Sequence, residues 1–303
     1  MKYFISFVFI TLVNIQFVSC TEPSKAVKQV PAVTSPNEGN FAKYMSSLKF
    51  PDQLSFCGER VPLEIPEVRE RAEREFYLNL QSPGQLILYI KRSGRYFPMF
   101  EQIIKEEKAP EDLKYLAIAE SALFMARSSK DAVGIWQFIA TTGRHMGLQI
   151  DDYVDERRNP EKSTKAAIAY LKSGYNQKQS WTLAAAGYNM GHENLGTNLE
   201  FQDKNSFYDL YLNEETSRYI LRIAVIKEII ENADYYGITI DPKDRYQPDK
   251  VRVVQWKTSI PDIAKWAEEH GTNYKDVKLL NPWILKRNLP SPKGGVYQIA
   301  IPN

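Results

Sequence analysis

An acidic side chain stands at a position where the pattern calls for an apolar one. Leu113, Leu116, Ala117 and Glu120 fall at i, i+3, i+4 and i+7, the spacing that puts side chains on one face of an α-helix. Pro110, Glu111 and Asp112 precede them, and an acidic first turn suits the positive end of a helix dipole. Glu120 would then lie near the negative end, partly buried, and both circumstances disfavour its charged form. A carboxylic acid that keeps its proton near neutral pH can protonate a leaving oxygen, which is what glycosidic cleavage needs. On the pattern alone, a buried structural acid or one turned to solvent is the stronger reading.

Other reactive groups offer less. His145, His192 and His270 show no metal-ligand spacing, so neither a metal nor a cofactor is expected. Gly143 and Gly147 make no phosphate loop, and no Gly-x-Ser-x-Gly elbow occurs. Cys57 sits between Phe56 and Gly58 without a neighbouring base and reads as a small buried hydrophobe. Asp155, Glu156, Arg157 and Arg158 read as an ion-pair network ahead of a helix cap; no motif supplies a second acid, and Asp131 is one candidate for it. A formal net charge of +2 lacks the cationic footprint of a nucleic-acid binder.

These groups need a scaffold, and 303 residues with 43% hydrophobic and 25% charged content suit a globular protein with a sizeable core. Helical signals dominate residues 41–240. Pro66 opens one helix, Ser82-Pro83 and Asn159-Pro160 each read as a cap followed by a first-turn proline, and eight or more helices are expected. After Gly237 the pattern changes: 251–254 and 296–301 read as strands, with helices at 260–270 and 274–280 between them. This gives a small β-α-α-β domain over residues 245–303. At the other end, Lys2 precedes a mostly apolar run over residues 3–18, shorter than the roughly 20 residues a spanning helix needs. Residues 1–19 therefore read as a signal peptide, and 20–40, with Pro23, Pro31 and Pro36, as a tether.

Several motifs occur in order: Ser93-Gly94-Arg95-Tyr96, Pro110-x-x-Leu113-x-Tyr115-Leu116-Ala117-x-x-Glu120-Ser121, Gly134-Ile135-Trp136-Gln137-Phe138, Thr142-Gly143, Asp155 to Pro160, Ala185-Ala186-Gly187-Tyr188-Asn189-Met190-Gly191, and Glu215-Thr216-x-x-Tyr219. Together they resemble the SLT family of goose-lysozyme-like lytic transglycosylases, in particular its membrane-bound murein transglycosylase D type, over residues 66–235. The resemblance implies a mainly α fold, with a lysozyme-like all-helical catalytic domain. It also implies roles: Glu120 as the catalytic acid and base, and Ser121 as a hydroxyl orienting it or the muramyl substituent. Gln137, Tyr188 and Asn189 would touch the sugars, and Tyr219 would set its hydroxyl beside Glu120. Two positions depart from the family pattern, with Ala122 where Gly is frequent and Gly187 where Ala is common. The 245–303 unit is similar to a divergent LysM module. Phe17-Val18-Ser19-Cys20 resembles a lipobox, which implies lipidation at Cys20 and anchoring in the periplasm, at the outer membrane of a Gram-negative bacterium.

The expected activity is cleavage of the β-1,4 bond between N-acetylmuramic acid and N-acetylglucosamine in peptidoglycan glycan strands, leaving 1,6-anhydro ends. A hydrolytic muramidase, which needs a second carboxylate to activate water, and a non-catalytic cell-wall-binding lipoprotein are the alternatives.

Overall fold

First-turn prolines and polar caps set where this chain turns helical. The computed structural model describes residues 38–303, so the expected signal segment, Cys20 and most of the tether lie outside the described residues. Helix α1 (Glu38–Ser47) is followed by a hairpin of β1 (Ser55–Phe56) and β2 (Glu59–Arg60), in a stretch whose signals read as helical. Cys57 and Gly58 form its two-residue turn at φ +52 and +80, the left-handed geometry that tight hairpins require.

Helices α2 (Pro66–Leu80) and α3 (Pro83–Glu106) each begin on the expected proline. Ser82, expected to cap α3 with its side chain, makes no such hydrogen bond; its carbonyl accepts from Gln85 N at 2.9 Å instead. The helix expected from Pro110 starts as a 3-10 turn, Glu111–Leu113, before α4 (Lys114–Ser121). Then follow α5 (Ala140–His145), α6 (Pro160–Lys178), α7 (Trp181–Met190), α8 (His192–Phe201) and α9 (Glu214–Glu231). Asn159 caps α6 as its sequence predicts, accepting from Lys162 N at 3.0 Å.

The core explains why Glu120 is held deep. Helix α9 packs against α2, α4 and α7, burying Ile220, Ile223, Ala224, Ile226 and Ile229. Each of these isoleucines contributes roughly 1.5–3 kcal/mol on burial. In α4, residues 114–118 are all buried, which anchors the helix up to the half-buried last turn that carries Glu120. Helix α7 is apolar all round and buried from Thr182 to Gly187, which brings Tyr188 and Asn189 out at the rim of the core.

Beyond residue 250 the chain forms β3 (Val251–Trp256), α10 (Ile263–Glu269), α11 (Tyr274–Leu280) and β4 (Tyr297–Pro302). The strands pair antiparallel, with Val251 opposite Pro302 and Trp256 opposite Tyr297. The mainly helical class with a small strand-containing C-terminal part is as the sequence implies. Ile260, Ile263, Trp266, Val277, Trp283 and Ile299 build a second hydrophobic cluster, and Val154, from far earlier in the chain, is part of it.

Candidate active site

Glu120 occupies the last turn of α4, and the chain leaves that helix abruptly. Ala122 and Leu123 both adopt left-handed conformations, at φ +56, which cost an L-residue roughly 1–2 kcal/mol each. The glycine that the resemblance leads one to expect at position 122 would enter that region without a Cβ penalty. Ala122 pays that penalty and the turn still closes, its N–H donating to Ile118 O at 2.8 Å.

The carboxyl of Glu120 lines a cleft of about 680 Å³ together with Gln137, Tyr170, Tyr188, Asn189 and Glu215. Tyr219, buried in α9, donates its hydroxyl to Glu120 Oε1 at 2.5 Å. Glu120 keeps some exposure at the cleft floor, yet protein packs closely round its carboxyl. Burial pushes it up to about 7; Glu215 adds to the rise, while the Tyr219 hydrogen bond and Arg222 oppose it. With Oε1 already accepting from Tyr219, the proton of the neutral acid belongs on Oε2. Burial and the nearby Glu120 raise the Tyr219 hydroxyl well above its ordinary value, so it remains a donor.

The other expected site residues are held in different ways. Gln137, at φ +50, directs its Nε2 to the carbonyls of Gly134 (2.8 Å) and Ala126 (3.3 Å), which leaves Oε1 as its accepting group. Asn189 Oδ1 accepts from Thr216 Oγ1 at 2.8 Å, and Asn213 fixes Thr216 in turn by accepting from its backbone N–H at 3.0 Å. The Asn189 amide is thereby oriented with its NH2 as the donor at the cleft. Tyr188 donates its hydroxyl to Trp136 O at 2.7 Å, so it presents a ring rather than a hydroxyl. That ring packs against Tyr170 and Phe138.

Ser121 is not brought to the cleft lining. Its hydroxyl donates to Ile135 O at 2.7 Å, with Ala117 O at 3.2 Å, and it ties α4 to the turn that carries Gln137. Asp131, the candidate second acid, is exposed, pairs with Arg127 at 2.8 Å and is absent from the lining. The second carboxylate on the cleft is Glu215, which pairs with Lys130 at 3.4 Å. Glu215 and Thr216 belong to the Glu-Thr-x-x-Tyr motif, which implies a role for Tyr219 alone; their spacing of four and three residues before Tyr219 places all three on neighbouring turns of α9.

Gly187 has a local cause. An alanine methyl there would fall 2.1 Å from His192 Nδ1, and one at Gly174 would fall 2.3 Å from His192 Cε1. The two glycines form a slot for the imidazole, which lies over the Tyr170 ring at 4.5 Å. At Cys57, burial with Asp112 beside it pushes the thiol far up, which disfavours the thiolate. The Asp155–Arg157 pair is formed, at 2.8 Å and almost fully buried.

Residues 97–210 match the Transglycosylase SLT domain, and residues 252–303 match the Soluble lytic transglycosylase C-terminal LysM-like domain. The chain is similar to the Membrane-bound lytic murein transglycosylase D of Escherichia coli strain K12, 27% identical over 293 residues, covering 91% of this chain and 64% of that protein. The same figures hold for its counterpart in E. coli O6:H1 strain CFT073. The chain thus spans somewhat less than two thirds of the length of these relatives. A solved structure of an inactive mutant of the lytic transglycosylase Slt from Pseudomonas aeruginosa is 20% identical with a TM-score of 0.38, covering 50% of this chain and 26% of that one.

Proposed function

We propose that this chain, which carries an SLT domain and a LysM-like C-terminal domain, is a lytic transglycosylase acting on the glycan strands of peptidoglycan. The observation that carries the reading is Glu120, a carboxyl pushed up to about 7 by burial and held through Oε1 by Tyr219. Glu120 Oε2 donates its proton to the glycosidic oxygen as the bond to N-acetylmuramic acid breaks. The same carboxylate then takes the proton of that sugar's C6 hydroxyl as it closes on C1. Tethered attack avoids much of the entropy cost of recruiting a second molecule. Asn189 donates to an acetamido carbonyl, Gln137 Oε1 accepts from a sugar hydroxyl, and Tyr188 supplies a ring face. A neighbouring groove of about 830 Å³ shares Thr142, Tyr170, Gly191 and Asn194 with the cleft, and so extended a trough suits a polymer.

Glu215 on the same cleft is the observation that favours a second reading, hydrolysis with Glu215 activating water. Mass spectrometry of digested peptidoglycan separates the two. Anhydro-muramic ends, lighter by one water, are expected; predominantly reducing muramic ends would make the protein a muramidase.

Anchoring through acylated Cys20, in the periplasm at the outer membrane, is proposed from the short apolar run ending in Ser19-Cys20. Among the described residues no helix is long and apolar enough to cross a membrane. Cys20→Ser is expected to move the protein to the soluble fraction, and a variant still pelleting with membranes would sink the lipid anchor. The division into residues 1–19, 20–40, 41–240 and 245–303 is part of the same proposal.

A further inference from the structure

The loop between α5 and α6 belongs to two cores at once. On one side Val154 is fully buried in the cluster of Ile260, Trp283 and Ile284. Its neighbours are tied there by backbone: Val154 bridges Ile284, Asp155 N donates to Trp283 O at 2.9 Å, and Leu285 N donates to Tyr153 O at 2.8 Å. Asp151 adds an ion pair to Lys293 at 3.0 Å.

On its other side the loop holds the turn that carries Gln137. Asp155 grips Arg157 with both oxygens, at 2.9 Å to Nε and 2.8 Å to Nη2. Arg157 Nη1 then donates to the carbonyls of Asp131 and Phe138, at 3.0 Å each, one on either side of Gln137. Gly134, four residues before Phe138, lies so close to this segment that a Cβ there would come 2.0 Å from Arg157 O. Gln137 itself stands at φ +50, a conformation unfavourable for an L-residue that persists only where its surroundings hold it. A forked, nearly buried guanidinium–carboxylate pair is a stiff support, because its geometry is planar and two-pronged.

We propose that the C-terminal module is a positioning element for the reaction: by clasping Val154 it fixes Asp155 and Arg157, and through them sets Gln137 in the cleft. The module thereby acts on the glycan bound at the SLT domain without touching it. This rests on the reading that Gln137 contacts substrate. Val154 and Arg157 are positioning residues, and the coupling runs through packed side chains and short hydrogen bonds rather than through any change of charge at Glu120.

The test uses the full chain carrying Val154→Ala, Val154→Asp or the conservative Val154→Ile. Amide exchange is followed by mass spectrometry over β4, over residues 131–138 and over α9, together with kcat, KM and the pH profile on peptidoglycan. In Val154→Ala and Val154→Asp, exchange in β4 and in 131–138 should rise together, by about tenfold or more, as a shared opening equilibrium requires. Exchange in α9 should stay as in the wild type. KM should rise by about threefold or more with kcat unchanged, the mark of lost binding rather than lost chemistry, and with the pH profile unmoved, while Val154→Ile should keep the wild-type KM. If Val154→Asp does not fold, Val154→Ala carries the test. Faster exchange in β4 with 131–138 unchanged would overturn the proposal, as would unchanged exchange in both. Coupled exchange with an unchanged KM would overturn the positioning role. A wild-type protein that cleaves no peptidoglycan would overturn the enzymatic reading instead, while the exchange data would still decide whether module and turn are coupled.

Discussion

Tyr219 and Glu120 lie 99 positions apart in the chain, and the Tyr219 hydroxyl donates to Glu120 Oε1 at 2.5 Å. The bond joins the last turn of α4 to the first half of α9. It holds the carboxyl in place while opposing, without cancelling, the upward push of burial on its proton affinity. Removing the hydroxyl should therefore let Glu120 rise further. In Tyr219→Phe the alkaline limb of kcat/KM against pH, where Glu120 loses its proton, is expected to move to higher pH. Activity should fall about tenfold, the worth of a hydrogen bond to a charged or reacting group. An alkaline limb that stays in place or moves down would contradict the assignment.

Glu120→Gln should abolish cleavage and stabilise the fold above neutral pH. The sign follows from the direction of the shift. The carboxyl ordinarily titrates near 4.5 and is raised to about 7 in the folded chain, so the folded state holds its proton more tightly than the unfolded one. Below about 4.5 Glu120 is neutral in both states and costs nothing relative to Gln. Between the two values its ionisation increasingly favours unfolding, and above about 7 the penalty reaches its full size, up to about 3 kcal/mol. Thermal unfolding at pH 5 and pH 8 checks this: the gain in Tm of Glu120→Gln should be clearly larger at pH 8. An equal gain at both would argue against a raised Glu120.

Thr216→Val tests the orientation of Asn189. Its hydroxyl is the donor that fixes Asn189 Oδ1, so its loss frees the amide to flip and offer the wrong atom to an acetamido carbonyl. KM should rise by about three- to tenfold with little change in kcat, since an oriented hydrogen bond is worth about 1 kcal/mol. Asn189→Ala should weaken binding at least as much and still leave measurable turnover. A Thr216→Val variant with wild-type KM would show that Asn189 needs no orienting partner.

Ala122→Gly should raise stability by about 0.5–1 kcal/mol. The left-handed φ of +56 costs alanine roughly 1–2 kcal/mol, and the greater freedom of glycine in the unfolded chain takes back about 0.4–1 kcal/mol of that relief. Denaturant titration at fixed pH measures the difference. A loss of stability would mean that the Cβ makes contacts worth more than the backbone strain.

The features legible in the chain alone are local and periodic. Apolar spacing of three and four, prolines at the first turn of α2, α3 and α6, and the Asn159 cap specify helices through interactions among neighbours, and those features are present. Glu120 stands out for the same reason, as an acid at i+7 of an apolar face. Other features were decided only when distant segments met. Whether Glu120 keeps its proton depends on desolvation, which sums the surroundings supplied by α9, and on Tyr219, Glu215 and Arg222 within them. Ser121 follows Glu120 directly, yet its hydroxyl turns to Ile135 O, because one residue along a helix rotates a side chain by about 100° onto another face. The sequence singles out Asp131 as the candidate second acid, but the fold sends it to solvent with Arg127 and brings Glu215, held only as part of a motif, to the cleft with Lys130. Val154 shows the same limit most plainly. It is one valine in a short loop, and its neighbours along the chain carry no sign that it belongs to a core built by residues 260–301. Hydrophobic burial has no preferred direction along the sequence, so the partner of an isolated apolar side chain is chosen by tertiary packing alone.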